Sequence, residues 1–307
     1  MPTTHTPFQT GRLPVGDGHT LYYEVHGNPK GKPAVMVHGG PGGGLHRATL
    51  AFFDLRKYCV LLYDQRGCGK SRPLGSLKAN TTWHLVDDLE RLRTHLDVEQ
   101  WLVLGGSWGT TLGIAYAETY PASVSELVLR SVCLLGKDET DWLYKVDGAA
   151  AVYPEEYKSF RDLLKTKAQQ KNPMRTYKSL LHSKNAKTRK AASKAWWGWE
   201  SAVSYLKPKP DDFTEQQALT IARIENHYFT HGAWLKPRQL LDQAHKLTMP
   251  VTIIHGRYDL VCPIRSSFAL KAAVPHATLV PIPDAGHAGM EPGTKKALRK
   301  ATDDYAS

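Results

Sequence analysis

A chain of 307 residues with 41% hydrophobic and 22% charged residues has the composition of a soluble globular protein, with room for one large domain or a domain that carries an insertion. No apolar run approaches the ~18 residues of a membrane span, and Met1-Pro2-Thr3-Thr4-His5 lacks the basic-then-apolar start of a secretory leader, so no membrane partner and a cytoplasmic location are expected. The formal net charge of +11 is concentrated between residues 154 and 210, where fourteen Lys/Arg face four Asp/Glu; without a nucleic-acid motif or interleaved stacking aromatics this reads as a solvated basic helical surface, and no nucleic-acid partner is expected.

In chain order, residues 12–26 alternate and turn at Gly16-Asp17-Gly18, which predicts an antiparallel hairpin. Ala34-Val35-Met36-Val37 reads as a buried strand that breaks into His38-Gly39-Gly40-Pro41-Gly42-Gly43-Gly44. Glycines there let backbone approach something closely. Tyr58 to Tyr63 is a second buried strand. It runs into Asp64-Gln65-Arg66-Gly67-Cys68-Gly69-Lys70-Ser71-Arg72-Pro73, where Asp64 and Arg66 are expected to tie the loop. Thr82 to Leu96 has helical spacing. Leu102 to Gly106 is the next strand, followed by a helix of small residues to about Tyr120 and a strand at Glu126–Arg130.

From Gly136 to about Lys246 no convincing strand occurs. The segment is basic, rich in Trp and Tyr, and helical in spacing. The buried-strand pattern resumes at Met249–Gly256, Thr278–Ile282 follows as a last strand, and a helix from about Thr294 to Tyr305 closes the chain. Strands that alternate with helices and are apolar on both faces predict an α/β fold with a mostly parallel sheet. The expected division is a core of residues 1–135 and 247–307 interrupted by a helical cap of residues 136–246.

The chemistry centres on Gly105-Gly106-Ser107-Trp108-Gly109. This is a G-x-S-x-G strand-to-helix turn, which holds a serine hydroxyl at its tip over a helix N-terminus. A serine nucleophile needs a base and a carboxylate to orient it, in chain order Ser, Asp/Glu, His. Asp259, in Gly256-Arg257-Tyr258-Asp259, and His287, in Asp284-Ala285-Gly286-His287, both follow buried strands and fall on the same rim as Ser107. The oxyanion hole is expected from the backbone N–H groups of Trp108 and of Gly40, since Pro41 has none to give. Cys59, Cys68, Cys133 and Cys262 have no disulfide or zinc spacing. No cofactor or metal is called for.

These motifs resemble the prolyl aminopeptidase (proline iminopeptidase) family of α/β-hydrolase serine peptidases. The resemblance rests on His38–Gly44, Asp64–Gly69, Gly105–Gly109, His255–Asp259 and Ala285–His287, with Trp199-Glu200 and Arg223–Phe229 in the cap. It runs from about residue 12 to the C-terminus and is weakest between 135 and 195. It implies an α/β-hydrolase core, a Ser107–Asp259–His287 triad, and release of N-terminal proline, with other small N-terminal residues left open. The implied partners are small peptides with a free N-terminus.

Glu200 and Glu225 can also be read physically. On helices, Glu225 shares a face with Ile221, Tyr228 and Phe229, and Glu200 with Trp196, Trp197 and Val203. A carboxylate on an apolar face needs a cation. A substrate ammonium and a cap cation such as Arg223 both meet that need; the resemblance implies the ammonium. It also implies that Phe229 helps line the substrate pocket, while Ser131-Val132-Cys133 and Leu143 depart from the family's aromatic lining and leave strict proline selectivity open. Cys262 falls at a family cysteine position, where thiol-reagent sensitivity and loop packing are both open, and Gly40-Pro41 is open between cis and trans. Two other functions fit less of the sequence: an esterase or amidase of the same fold acting without a free amine, and a non-catalytic binding protein whose basic cap takes acidic partners.

Overall fold

The computed structural model describes residues 6–207 and 213–306. The leader reading of Met1 to His5 and the far end of the basic segment lie outside the described residues. Eight strands form one sheet: β1 (Gln9–Gly16), β2 (His19–Gly27), β3 (Lys32–Val37), β4 (Tyr58–Asp64), β5 (Trp101–Gly106), β6 (Val124–Arg130), β7 (Val251–Gly256) and β8 (Thr278–Ile282). Their order is β1-β2-β4-β3-β5-β6-β7-β8. β1 pairs with β2, and β2 with β4, antiparallel; every pairing from β4 through β8 is parallel. The carboxyl ends of six strands therefore meet along one rim, where α/β sheets place their ligands.

The period of two along each strand sorts side chains onto two apolar layers. On β3, Val35 and Val37 join one core while Ala34 and Met36 join the other; on β5, Val103 and the pair Leu102/Leu104 divide the same way. The first layer is covered by α1 (Thr82–His95) and α2 (Trp108–Thr119). Leu85, Val86, Leu89 and Leu92 supply the buried stripe of α1, and the Thr81 side chain caps its N-terminus by accepting from the His84 N–H.

Between β6 and β7 the described residues contain helices only: α3 (Lys137–Tyr144), α4 (Pro154–Arg161), α5 (Lys167–Lys171), α6 (Pro173–Leu181), α7 (Ala186–Ser204), α8 (Glu215–Thr230) and α9 (Gln239–Asp242). α10 (Arg265–Ala273) follows β7, and α11 (Pro292–Asp304) covers the second sheet layer through Leu298 and Ala301. The Trp and Tyr content of the inserted helices becomes a core of its own. Phe160 stacks on Tyr177 at 4.2 Å, and Tyr144, Trp196 and Trp199 are buried beside them. Such ring pairs contribute ~0.5–1.5 kcal/mol each beyond their burial. The Trp199 indole is satisfied by the Leu143 carbonyl at 2.9 Å.

The Asp64–Pro73 loop is tied as its residues predict. Asp64 accepts from the N–H groups of Leu45 and Lys70, both at 2.7 Å. Arg66 is buried and grips Asp88 with two bonds of 2.7 Å. A bidentate guanidinium–carboxylate pair offsets the desolvation of both charges through geometry a lysine cannot supply.

Candidate active site

The turn after β5 shows why glycine must flank the serine. Ser107 has φ 58° and ψ −127°, a conformation that costs a non-glycine residue energy and is typical of functional sites. A Cβ on Gly105 would lie 2.2 Å from the Gly109 carbonyl oxygen, and one on Gly109 would lie 2.1 Å from that of Val37. Strand and helix pass each other only because both positions lack side chains. The Ser107 N–H donates to the Arg130 carbonyl at 2.9 Å, which fixes the turn to the end of β6.

Asp259 and His287 meet. The imidazole Nδ1 lies 2.8 and 3.0 Å from the two carboxylate oxygens. Asp259 also accepts from the N–H groups of Val261 at 3.0 Å and Cys262 at 2.8 Å, and His255 Nε2 lies 3.2 Å away. Burial alone would raise the Asp259 carboxyl, but the facing His287 and His255 hold it well below the usual carboxylate range. Burial lowers His287, Asp259 opposes that, and Arg130 adds to the lowering. His287 is thereby kept as a neutral imidazole. Ser107 and His287 line one cavity of about 240 Å³. Among the described residues no hydrogen bond joins the Ser107 hydroxyl to His287; its neighbour is the Cys262 thiol at 3.9 Å. Bonds of this kind commonly tighten only around a bound substrate.

The glycine loop lies against the nucleophile. A Cβ on Gly39 would come within 3.3 Å of Ser107 Cβ. Gly40 lines the cavity at φ 111°, and its bond to Pro41 is cis. Trp108 opens α2 directly after the serine. Gln65 laces these parts together. Its amide donates to the His38 carbonyl and its carbonyl accepts from the Trp108 indole, each at 2.9 Å.

Opposite the nucleophile, α7 and α8 bring Glu200 and Glu225 into the same cavity. The Trp196 indole donates to Glu225 at 2.7 Å, and the Tyr144 hydroxyl donates to Glu200. Burial raises both carboxyls; the charge of Glu200 raises Glu225 further. The competing cation is elsewhere: Arg223 turns away and donates to the Leu181 carbonyl at 2.9 Å. Among the described residues neither glutamate has an ion pair with Lys, Arg or His. Phe229, Cys133 and Leu143 line the same cavity.

The roles of two residues of this site escaped the sequence reading. Tyr144, one position past Leu143, supplies the hydroxyl on Glu200. Arg130 ends β6 with its guanidinium beside His287. An arginine closing an apolar buried strand was the available signal for the latter. His38, Asp64 and Cys68 sit close enough to suggest a metal, but the protein itself accounts for their polar atoms. His38 Nε2 accepts the Gln65 N–H at 3.0 Å and Nδ1 faces the Gly39 carbonyl at 2.9 Å, while Asp64 holds two backbone N–H groups.

Residues 32–294 match the family model for the alpha/beta hydrolase fold. A proline iminopeptidase of Xanthomonas citri is 46% identical over 307 residues, covering 98% of this chain and 97% of the relative. A solved proline iminopeptidase of Mycobacterium smegmatis superimposes with a TM-score of 0.66 at 20% identity, covering 97% of this chain and 99% of that one. An esterase from Exiguobacterium antarcticum gives 0.64 at 18%, covering 97% and 98%. The two structures establish the shared fold, and the identity to the Xanthomonas protein spans nearly the whole of both chains. This chain therefore belongs to the α/β hydrolases and, within them, to the proline iminopeptidase family.

Proposed function

We propose that this chain is a serine aminopeptidase that releases proline from the N-terminus of small peptides in the cytoplasm. The observation that carries the reading is the Glu200–Glu225 pair. Two carboxyl groups that have no ion pair among the described residues share a cavity with Ser107 and His287, and a substrate ammonium supplies the missing charge. An internal residue of a peptide has no ammonium to offer, so the pair restricts cleavage to the first residue.

On this reading the Ser107 hydroxyl attacks the carbonyl carbon of the first residue. His287 takes the proton and returns it to the leaving amine, while Asp259 holds the imidazole. The N–H groups of Gly40 and Trp108 take the oxyanion; losing one such donor typically costs ~10²–10³ in turnover. Water then releases proline from the acyl-enzyme by the reverse path. Residues 136–246 form a cap over a core of residues 1–135 and 247–307, with Phe229 as one wall of the proline pocket. Cys133 and Leu143 make that pocket less aromatic, so alanine termini are expected to enter it as well.

The test compares proline naphthylamide with its N-acetylated form. Cleavage of the free amine alone is expected. Equal rates on both would overturn amine recognition and leave an esterase or amidase. Ser107→Ala should abolish all hydrolysis; full activity in that variant would remove the serine mechanism.

A further inference from the structure

Glu291 precedes the first residue of α11 and is buried, yet its side chain does not cap that helix. Its two oxygens hold two separate pieces of chain instead. Oε2 accepts the Gly286 N–H at 2.6 Å, and Oε1 accepts the Leu206 N–H at 2.8 Å. Bonds from backbone N–H groups to a carboxylate are shorter and stronger than bonds between neutral groups.

Each donor adjoins one half of the site. Gly286 immediately precedes His287. Leu206 lies two residues past the end of α7, whose C-terminal end carries Glu200, and there the Ser204 hydroxyl donates to the Glu200 carbonyl at 2.6 Å. The two pieces also touch directly. A Cβ on Gly286 would lie 2.9 Å from the Leu206 nitrogen, so the loop of the base passes the end of α7 too closely for any residue but glycine. The third point is firm, because α11 packs on the sheet through Leu298 and Ala301. One side chain on a fixed helix thus ties the loop of His287 to the helix of Glu200.

We propose that Glu291 is a positioning residue that couples the base to the amine-binding carboxylate: it keeps His287 and Glu200 at the spacing in which the ammonium and the scissile carbonyl of one substrate residue are engaged together. The proposal rests on the aminopeptidase reading and adds to it what holds the two halves of the site in register. A substrate that Glu200 does not grip has no use for that spacing.

The test is Glu291→Gln, which keeps the size of the side chain and leaves one of the two N–H groups facing an amide nitrogen. Proline naphthylamide, held by its amine, is compared with 4-nitrophenyl acetate, which has none. On the naphthylamide kcat should fall about tenfold with KM little changed, and the loss on the ester should be about fivefold smaller. Equal losses on the two substrates overturn the proposal, because they report damage to the base alone, and so does an unchanged rate on the naphthylamide. The double variant with Glu200→Gln is the second arm. Once the grip is gone the tether has nothing to align, so the combined loss should match that of Glu200→Gln alone; losses that multiply overturn the coupling. Hydrogen exchange on the unaltered enzyme decides the matter if Glu291→Gln does not fold. L-Prolinol, a free amine without a scissile bond, should slow exchange around Leu206 and around Gly286 together. Slowing confined to one of the two segments, or absent from both, overturns the proposal. Failure of the aminopeptidase reading looks different: the unaltered enzyme would then cleave proline naphthylamide and its N-acetylated form at equal rates.

Discussion

Arg130 places its Nη1 3.3 Å from His287 Nε2 and, from the same nitrogen, donates to the His287 carbonyl at 2.8 Å. The guanidinium thus braces the backbone of the base and faces the nitrogen that must receive a proton. Burial is the main reason that His287 is kept neutral, and Arg130 adds to it against the pull of Asp259. Removing the cation, in Arg130→Met, makes the imidazolium easier to form. The base then remains protonated to higher pH, so the acid limb of kcat/KM should move to higher pH. A limb that stays in place would reduce Arg130 to a backbone brace.

Glu225→Gln and Glu200→Gln should each lower kcat/KM on proline naphthylamide by about tenfold or more, the range for losing a hydrogen bond to a charged group, without changing the circular dichroism spectrum. Burial raises both carboxyls, so the pair takes up a proton at a higher pH than ordinary glutamates. A protonated pair no longer neutralises an ammonium. KM should therefore rise as pH falls from 8 towards 5, and this rise should be weakened in each Gln variant, which keeps one titrating carboxyl. Unchanged kinetics in both variants would return the pair to a structural role.

Glu118 on α2 lies away from this chemistry. It is buried, one carboxylate oxygen has no partner among the described residues, and burial pushes its pKa up to about 8. A carboxyl raised in the folded state favours folding least where the unfolded chain ionises freely. Its contribution is intact below the ordinary glutamate pKa and is lost as pH rises towards 8. Glu118→Gln should therefore match the parent near pH 4 and exceed it in stability at pH 8, with a ceiling of ~4 kcal/mol. Denaturant midpoints at the two pH values check this; equal differences at both would show that Glu118 does not titrate on unfolding.

The Cys262 thiol sits 3.9 Å from the Ser107 hydroxyl, yet it is poorly prepared to react. A hydrogen bond with Cys133 and burial both raise it well above the ordinary thiol range. Only the thiolate alkylates. Inactivation by iodoacetamide should be slow at pH 7, quicken with pH, and be blocked by substrate. Cys262→Ser should remain active and resist the reagent. What the position supplies to the site is its backbone N–H on Asp259, which the serine variant retains.

The elements that were legible in the sequence are those written in short range. The elbow, the glycine loop and the residues just past β7 and β8 each carry their signal within a few positions, because turn sterics act locally. The apolar faces around Glu200 and Glu225 were legible through helical spacing. The Tyr144 hydroxyl on Glu200 bridges 56 positions and the Arg130 contact with His287 bridges 157. Such contacts arise from how helices and strand ends pack, which no local pattern encodes. The indole of Trp197 is the same kind of fact: its neighbours Trp196 and Trp199 look alike in sequence, and only the fold shows which of the three has no acceptor among the described residues.

The nucleophile stands on the turn between β5 and α2, whereas Glu200 and Glu225 hang from α7 and α8, far along a separate stretch of chain. On the proposed reading this separation acts as a ruler. One end of the substrate is gripped by the helices, and the cut falls wherever the strand rim lies beneath. The number of residues removed per cycle is then set by the height of α7 and α8 above the sheet. A relative with the same triad and those helices one residue's length higher would release dipeptides.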